Sequence, residues 1–247
     1  MEFKFNKTKA IEYIKASLDK ESDTVFVPSL GSDATKSIKG MRTTMKNNGF
    51  EEFINIHCPE EPKSDDDVNT LIEKIENKVK NIDINNSSDL ETLFHLIHLW
   101  GGIAGRGLYQ IKRGGFYNNI NIDSYKKLIQ AAITSSNIID IIKAIEQFEI
   151  ESKNISVAFI TKHTRFFSAL NPTHKCIPIY DSVMSKNYML EFKKKLNEYS
   201  PIKQPASAKL PRGREELVIY WDAMIQLSNY YQLSLKDLER ILFVNAR

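Results

Sequence analysis

NISVAFITKHTRFFSALNPTHKCIPIYDSVMSK, residues 154–186, decides how the chain is read. Phe159, Phe166, Phe167 and Leu170 supply an apolar face, and the pattern predicts a helix over 156–170. Asn171-Pro172 stops it. Cys176-Ile177-Pro178-Ile179-Tyr180 then reads as extended chain, and Asp181 stands at the N-cap of a next helix, expected over 181–198. Two residues are out of keeping with plain packing. Thr161 is placed to cap a helical turn opening at Lys162, where the positive end of the helix dipole disfavours an ammonium. That field, together with partial burial against aromatic rings, lowers an amine's pKa and makes it a nucleophile. Asp181 follows nineteen residues later. Two helix starts facing one cleft would bring an amine and a carboxylate to a cationic transition state, with exposed N–H groups to hold phosphate.

Outward from this segment the periodicity stays helical. Ala10, Ile11, Ile14 and Leu18 share one face of a helix over 6–19. Further helices are expected over 66–80, 89–99, 122–132, 135–149, 213–230 and 234–243. Asp65–Asp67 suit the start of the first of these, and Ser234 with Asp237 suits the start of the last. The stretch after residue 19 reads as loop, with a possible short strand at Thr24–Val27 before Pro28. Residues 57–67, acidic and proline-containing, form the best internal break, and 199–212 form a basic, proline-containing connection. The expected fold is all-α and multi-helical. Residues 1–88 form an N-terminal helical region with loops, and 89–247 a helical core carrying Lys162 and Asp181.

Composition narrows the function classes. A chain of 247 residues with 42% hydrophobic and 26% charged residues is typical of a globular protein. No apolar run approaches the roughly 20 residues of a membrane helix, and MEFKFNKTKA carries no apolar signal region, so the expectation is a cytoplasmic protein with no membrane partner. Two cysteines, Cys58 and Cys176, exclude a four-cysteine metal or iron–sulfur site and are expected reduced and buried. The net charge of +3 hides an asymmetry: residues 1–152 hold 19 Lys and Arg against 23 Asp and Glu, and residues 153–247 hold 15 against 8. A basic C-terminal portion suits an anionic partner, although a solvated lysine surface explains it equally well.

ITKHTRFFSAL followed by IPIYDSVMSK resembles the catalytic segment of the helix-hairpin-helix DNA glycosylase superfamily, and most of all its 8-oxoguanine glycosylase-like bacterial branch. WGGIAGRGLYQ at 100–110 and LKDLERILFVNAR at the end of the chain are similar to segments of the same branch, more weakly, and the first 90 residues show no such similarity. The resemblance implies a helical fold with a cleft between two subdomains, with Lys162 as Schiff-base nucleophile and Asp181 as catalytic carboxylate. It further implies base excision with associated lyase activity, without cofactor or metal. The implied partner is double-stranded DNA with a modified base flipped out, an oxidised purine by family default or a modified phage base in a defence setting. Trp100, Arg106, Tyr109, Phe116 and Tyr117 are expected to wall the base pocket. Family hairpins carry glycines just before the lysine; here Phe159, Ile160 and Thr161 stand there. DNA contact is therefore assigned to Thr161, His163, Arg165 and Lys186. A monomer associated with a bacterial nucleoid is the implied setting.

The remaining motifs read as structural. WGGIAGRG lacks the P-loop pattern and a preceding strand, so its glycines read as a turn between packed helices. His95 and His98 lie three apart on a helix with no further ligand set nearby and read as structural histidines, and Trp221 reads as core. Two other functions stay open: a non-catalytic nucleic-acid-binding module on the same scaffold, and a helical protein-interaction domain.

Overall fold

Side-chain caps and apolar stripes define the helices of the computed structural model, which describes residues 2–18, 32–110, 113–192 and 214–246. In chain order they are α1 (Lys7–Ser17), α2 (Ser32–Lys46), α3 (Glu51–His57), α4 (Asp65–Lys80), α5 (Ser87–Gly101), α6 (Gly115–Asn119), α7 (Ile122–Thr134), α8 (Ile138–Glu151), α9 (Val157–Phe167), α10 (Ser182–Tyr188), α11 (Arg214–Tyr231) and α12 (Leu235–Asn245). Short 3-10 segments span Ile103–Tyr109 and Ser168–Leu170. Strands β1 (Glu2–Phe5) and β2 (Met189–Phe192) pair antiparallel, Glu2 opposite Phe192 and Phe5 opposite Met189. The fold is predominantly helical, as expected, with this one ribbon added among the described residues.

Several helix starts follow their polar signals. Ser64 and Asp67 form a reciprocal capping box at α4, and Asp65–Asp67 occupy its first turn. Ser234 Oγ accepts from the Asp237 N–H at 3.0 Å to open α12. Asn6, Asn86, Asn121 and Asn137 cap α1, α5, α7 and α8.

Two expectations about elements change. The helix expected over 181–198 ends at Tyr188, where the backbone turns into β2, and 193–198 lie outside the described residues. Tyr188 fixes the change: its hydroxyl donates to the Leu242 carbonyl at 2.7 Å and its own carbonyl accepts from Asn6 N–H at 2.7 Å. The loop expected after residue 19 gives way to α2, which buries Ile38, Met41 and Met45 on one face. Its Gly, Ser and Thr residues hide that stripe from a reading by propensity. Thr24–Val27 lies outside the described residues.

The chain groups into two compact units, one formed by Met1–Pro28 with Ile177–Arg247 and one by Ser29–Cys176. In the continuous unit, Leu93, Phe94 and Ile97 of α5, Tyr125 and Ile129 of α7, Phe148 of α8 and Phe166 and Phe167 of α9 are buried together. In the other, Ile14 of α1, Tyr220, Trp221 and Met224 of α11, and Leu238, Ile241 and Leu242 of α12 form the core. Trp221 is fully buried, as its sequence setting implies. Both cysteines are unpaired, but half-buried rather than buried; burial raises the Cys58 thiol pKa.

Candidate active site

Lys162 lies on α9, inside the continuous unit. The helix begins at Val157, five residues before the lysine, with Ser156 in the cap position. The expectation that a helix opens at Lys162 is therefore corrected. Val157 and Ile160 are buried and carry the helical packing back past Thr161, whose hydroxyl donates to the Ala158 carbonyl at 3.1 Å instead of capping. The dipole field at a helix start thus gives no account of Lys162. Other groups surround its amine. Nζ donates to the Gly101 carbonyl at 3.0 Å and stands 4.5 Å from the centre of the Phe159 ring. Gly101 closes α5, so its carbonyl belongs to the negative end of a fifteen-residue helix, a setting that favours an ammonium. The ring face adds a cation–π contact.

Glycines make this close approach possible. A methyl group on Gly101 would meet Phe159 Cε1 at 2.7 Å and Lys162 Cδ at 3.2 Å. One on Gly105 would meet Phe159 Cζ at 2.6 Å and His98 Nδ1 at 3.1 Å. Gly102, at φ +79, turns the chain from α5 into the 3-10 segment. The reading of WGGIAGRG as a glycine-permitted turn therefore holds, and the turn is also what lets Phe159 and Lys162 reach the end of α5.

Behind Phe159 lies a buried layer of rings. His98 stacks between Phe159, at 4.7 Å and 21°, and Phe94, at 4.4 Å and 23°. His163 stacks on Phe94 at 4.8 Å, and its Nδ1 pairs with the Tyr125 hydroxyl at 2.9 Å. His95 Nδ1 pairs with the Tyr109 hydroxyl at 2.7 Å, and its Nε2 lies 3.4 Å from Glu91 Oε1. Neither ring nitrogen of His98, nor Nε2 of His163, has a hydrogen-bond partner among the described residues. Burial, aided by the Lys162 charge, pushes the His163 pKa down to about 3, and burial holds His98 well below the usual histidine range. These imidazoles are neutral. His95 and His98 are structural, as the sequence suggests.

No protein-family profile, curated protein sequence or solved structure matches this chain.

The residues expected around Lys162 are dispersed. Tyr109 and Phe116 belong to the buried ring layer and present no wall to a ligand here; packing against His95 and Phe94 removes both from the surface. Trp100 is half-buried, edge-on to Phe166 at 4.9 Å. Arg106 and Tyr117 are exposed. Thr161 and His163, assigned to DNA contact, are fully buried and bonded inside the unit, which leaves them no surface for phosphate. Arg165 is also buried, with its guanidinium 5.7 Å from the Phe166 ring. Lys186, on α10 of the other unit, is exposed.

Asp181 lies in the unit formed by the chain ends. It is the N-cap of α10, as expected: Oδ1 accepts from Val183 N–H at 2.9 Å and Met184 N–H at 3.1 Å. Both bonds fall on one oxygen. Oδ2 has no hydrogen bond to a described residue, and the residue is half-exposed. A carboxylate held by one oxygen can present the other in a fixed direction.

The extended segment leading into Asp181 is held by side chains instead of by a strand. Trp221 Nε1 donates to the Pro178 carbonyl at 2.9 Å, and the Tyr220 hydroxyl donates to the Ile179 carbonyl at 2.9 Å. Ile179 N–H donates to Glu239 Oε1 at 2.5 Å, and the Tyr180 hydroxyl donates to Glu216. Sequence reasoning missed Phe159, Gly101 and these four holders as parts of the site. The signal at Glu239 was present: an acidic residue between Leu238 and Ile241 lies at the edge of an apolar stripe.

Proposed function

We propose that the protein is a DNA glycosylase with associated lyase activity, with Lys162 as the nucleophile and Asp181 as the catalytic carboxylate. The observation that supports it best is the setting of Lys162. Its amine is half-buried over an aromatic ring at the end of α5, and since both contacts favour the ammonium, substrate must displace the Gly101 carbonyl before the amine can act. The glycosylase-like fold belongs to this proposal.

A modified base flips out of the duplex, and the deoxyribose C1′ is presented to Nζ. The amine leaves the Gly101 carbonyl, loses its proton and attacks C1′ as the C1′–base bond breaks; the base departs with a proton. Asp181 Oδ2 faces the positive charge that develops on the sugar, while Oδ1 stays committed to the cap. Opening of the sugar ring leaves an imine between Nζ and C1′. Removal of a proton from C2′ then expels the 3′ phosphate and cuts the strand. Each of these steps is acid–base or nucleophilic chemistry of the chain's own side chains.

Reduction with sodium borohydride on duplexes carrying 8-oxoguanine, other damaged bases or an abasic site tests the proposal. A covalent adduct on Lys162, located by mass spectrometry after digestion, is the expected result. Absence of both adduct and base release across the panel would refute it. A non-catalytic nucleic-acid-binding module is the second reading, favoured by Phe159, Ile160 and Thr161 standing where the family's hairpin carries glycines. Salt-sensitive DNA binding with no adduct would select that reading.

A further inference from the structure

Residues 178–180 form an extended segment with no strand partner, and its backbone groups must be satisfied inside the unit. Three side chains from two helices do this, and a fourth, Glu216, accepts from the Tyr180 hydroxyl. Glu216, Tyr220 and Trp221 come from successive turns of α11, and Glu239 comes from α12. All four are buried: Tyr220 and Trp221 completely, Glu216 to 3% exposure and Glu239 to 8%. Ile179 is gripped at both polar groups, its N–H by Glu239 and its carbonyl by Tyr220. It stands two residues before Asp181.

Two of the four holders are carboxylates, and burying a carboxylate costs several kcal/mol in principle. A neutral acceptor would satisfy the Ile179 N–H at lower cost. What the charged acceptor adds is a short, strong, directional bond. The Tyr220 phenol records how close these groups stand, since burial first, and then the Glu239 and Asp181 carboxylates, raise its pKa well above the ordinary value. The Ile179 peptide is thus fixed on both sides immediately before the residue whose Oδ2 must point at a reacting sugar.

We propose that Glu239 is a positioning residue for Asp181: its bond to the Ile179 N–H sets the direction from which the Asp181 carboxylate is presented. The inference rests on the reading of Asp181 as the carboxylate of base excision. Glu239 itself touches no substrate and acts through the Ile179–Asp181 backbone.

Glu239→Gln and Glu239→Ala separate the possibilities. Glutamine keeps an acceptor oxygen and loses the charge; alanine loses both. With wild type active, Glu239→Ala is expected to slow single-turnover base excision on the order of a hundredfold, the scale of an ångström-sized misplacement. DNA affinity and borohydride trapping on a preformed abasic site should remain, because Lys162 is untouched. Glu239→Gln should recover part of the lost rate, since it keeps the acceptor oxygen and loses the charge that strengthens the bond. A folded Glu239→Ala with unchanged excision would overturn the inference. So would equal losses in Gln and Ala, which would make charge the operative property. Where Glu239→Ala does not fold, Tyr220→Phe decides. It removes only the hydroxyl on the Ile179 carbonyl, and slowed excision at unchanged affinity supports positioning while unchanged excision refutes it. A wild type without base excision or trapping would instead refute the underlying functional reading, and the inference with it.

Discussion

The amine of Lys162 donates to the carbonyl of Gly101, the residue that ends α5, at 3.0 Å, and the two lie 61 positions apart in the chain. This contact holds the side chain in one place over Phe159 and makes the lysine the natural first target for mutation.

Lys162→Gln is expected to abolish the borohydride adduct and leave the fold intact. It removes one hydrogen bond and one cation–π contact from a half-buried position, so stability should change by about 1 kcal/mol. Urea denaturation checks the second part, and an adduct that persists in the variant would mean that another amine attacks.

Asp181→Asn separates catalysis from capping. Asparagine caps helices as well as aspartate, so the two bonds to Val183 and Met184 should survive. Base excision should slow by orders of magnitude, each tenfold corresponding to about 1.4 kcal/mol of transition-state stabilisation. A single-turnover rate within about threefold of wild type, a difference under roughly 1 kcal/mol, would make Asp181 a cap alone.

Gly105→Ala should destabilise the continuous unit by about 1–3 kcal/mol, because the added carbon meets two buried rings, Phe159 and His98, that are themselves packed on both sides. The thermal midpoint should fall accordingly. An unchanged midpoint would mean that the ring layer yields.

Stability should decline as pH falls from neutral toward 4. His163 binds a proton near pH 6.5 when unfolded but only near 3 when folded, so between these values the unfolded state holds more protons. Stability therefore rises with pH in that window and is lost progressively below about 6.5, at a limiting slope of about 1.4 kcal/mol per unit for each such histidine. His98 shares the sign. Most carboxylates titrate lower, so a urea midpoint flat between pH 6.5 and 4.5 would contradict the buried neutral imidazoles.

DNA affinity should fall steeply as salt rises, because Lys and Arg must displace counterions from several phosphates. The excess of basic residues after position 152 motivates this expectation. A Kd independent of salt between low and physiological concentration would exclude a grip on the backbone.

The helices were legible in the sequence wherever an apolar stripe met a polar cap, as at Ser64, Asn121 and Ser234. α2 was not, because glycine and hydroxyl residues dilute its stripe. Asp181 as a cap was legible from a short local signal. Lys162 was misplaced because Thr161 was read as a cap, although the helix already runs from Val157 and its Val157 and Ile160 are buried. The burial of Thr161 and His163 depends on α7 and on Tyr125, a contact across 38 positions that no local pattern encodes. Glu239 and Tyr220 met the same obstacle, since what they hold lies 41 to 60 positions away.

The ribbon of β1 and β2 joins the first residues of the chain to a segment that emerges late, and α1 packs on α12 at the far end. During synthesis the residues of Ser29–Cys176 are complete while the partners of β1 and α1 are still unmade. The opening segment must wait, with Phe5, Ala10 and Ile14 lacking their native cover, until the ribosome has delivered the last helix. Contacts of such separation close slowly. Loss of α12 would therefore leave α1, as well as α11, without the surface it packs on.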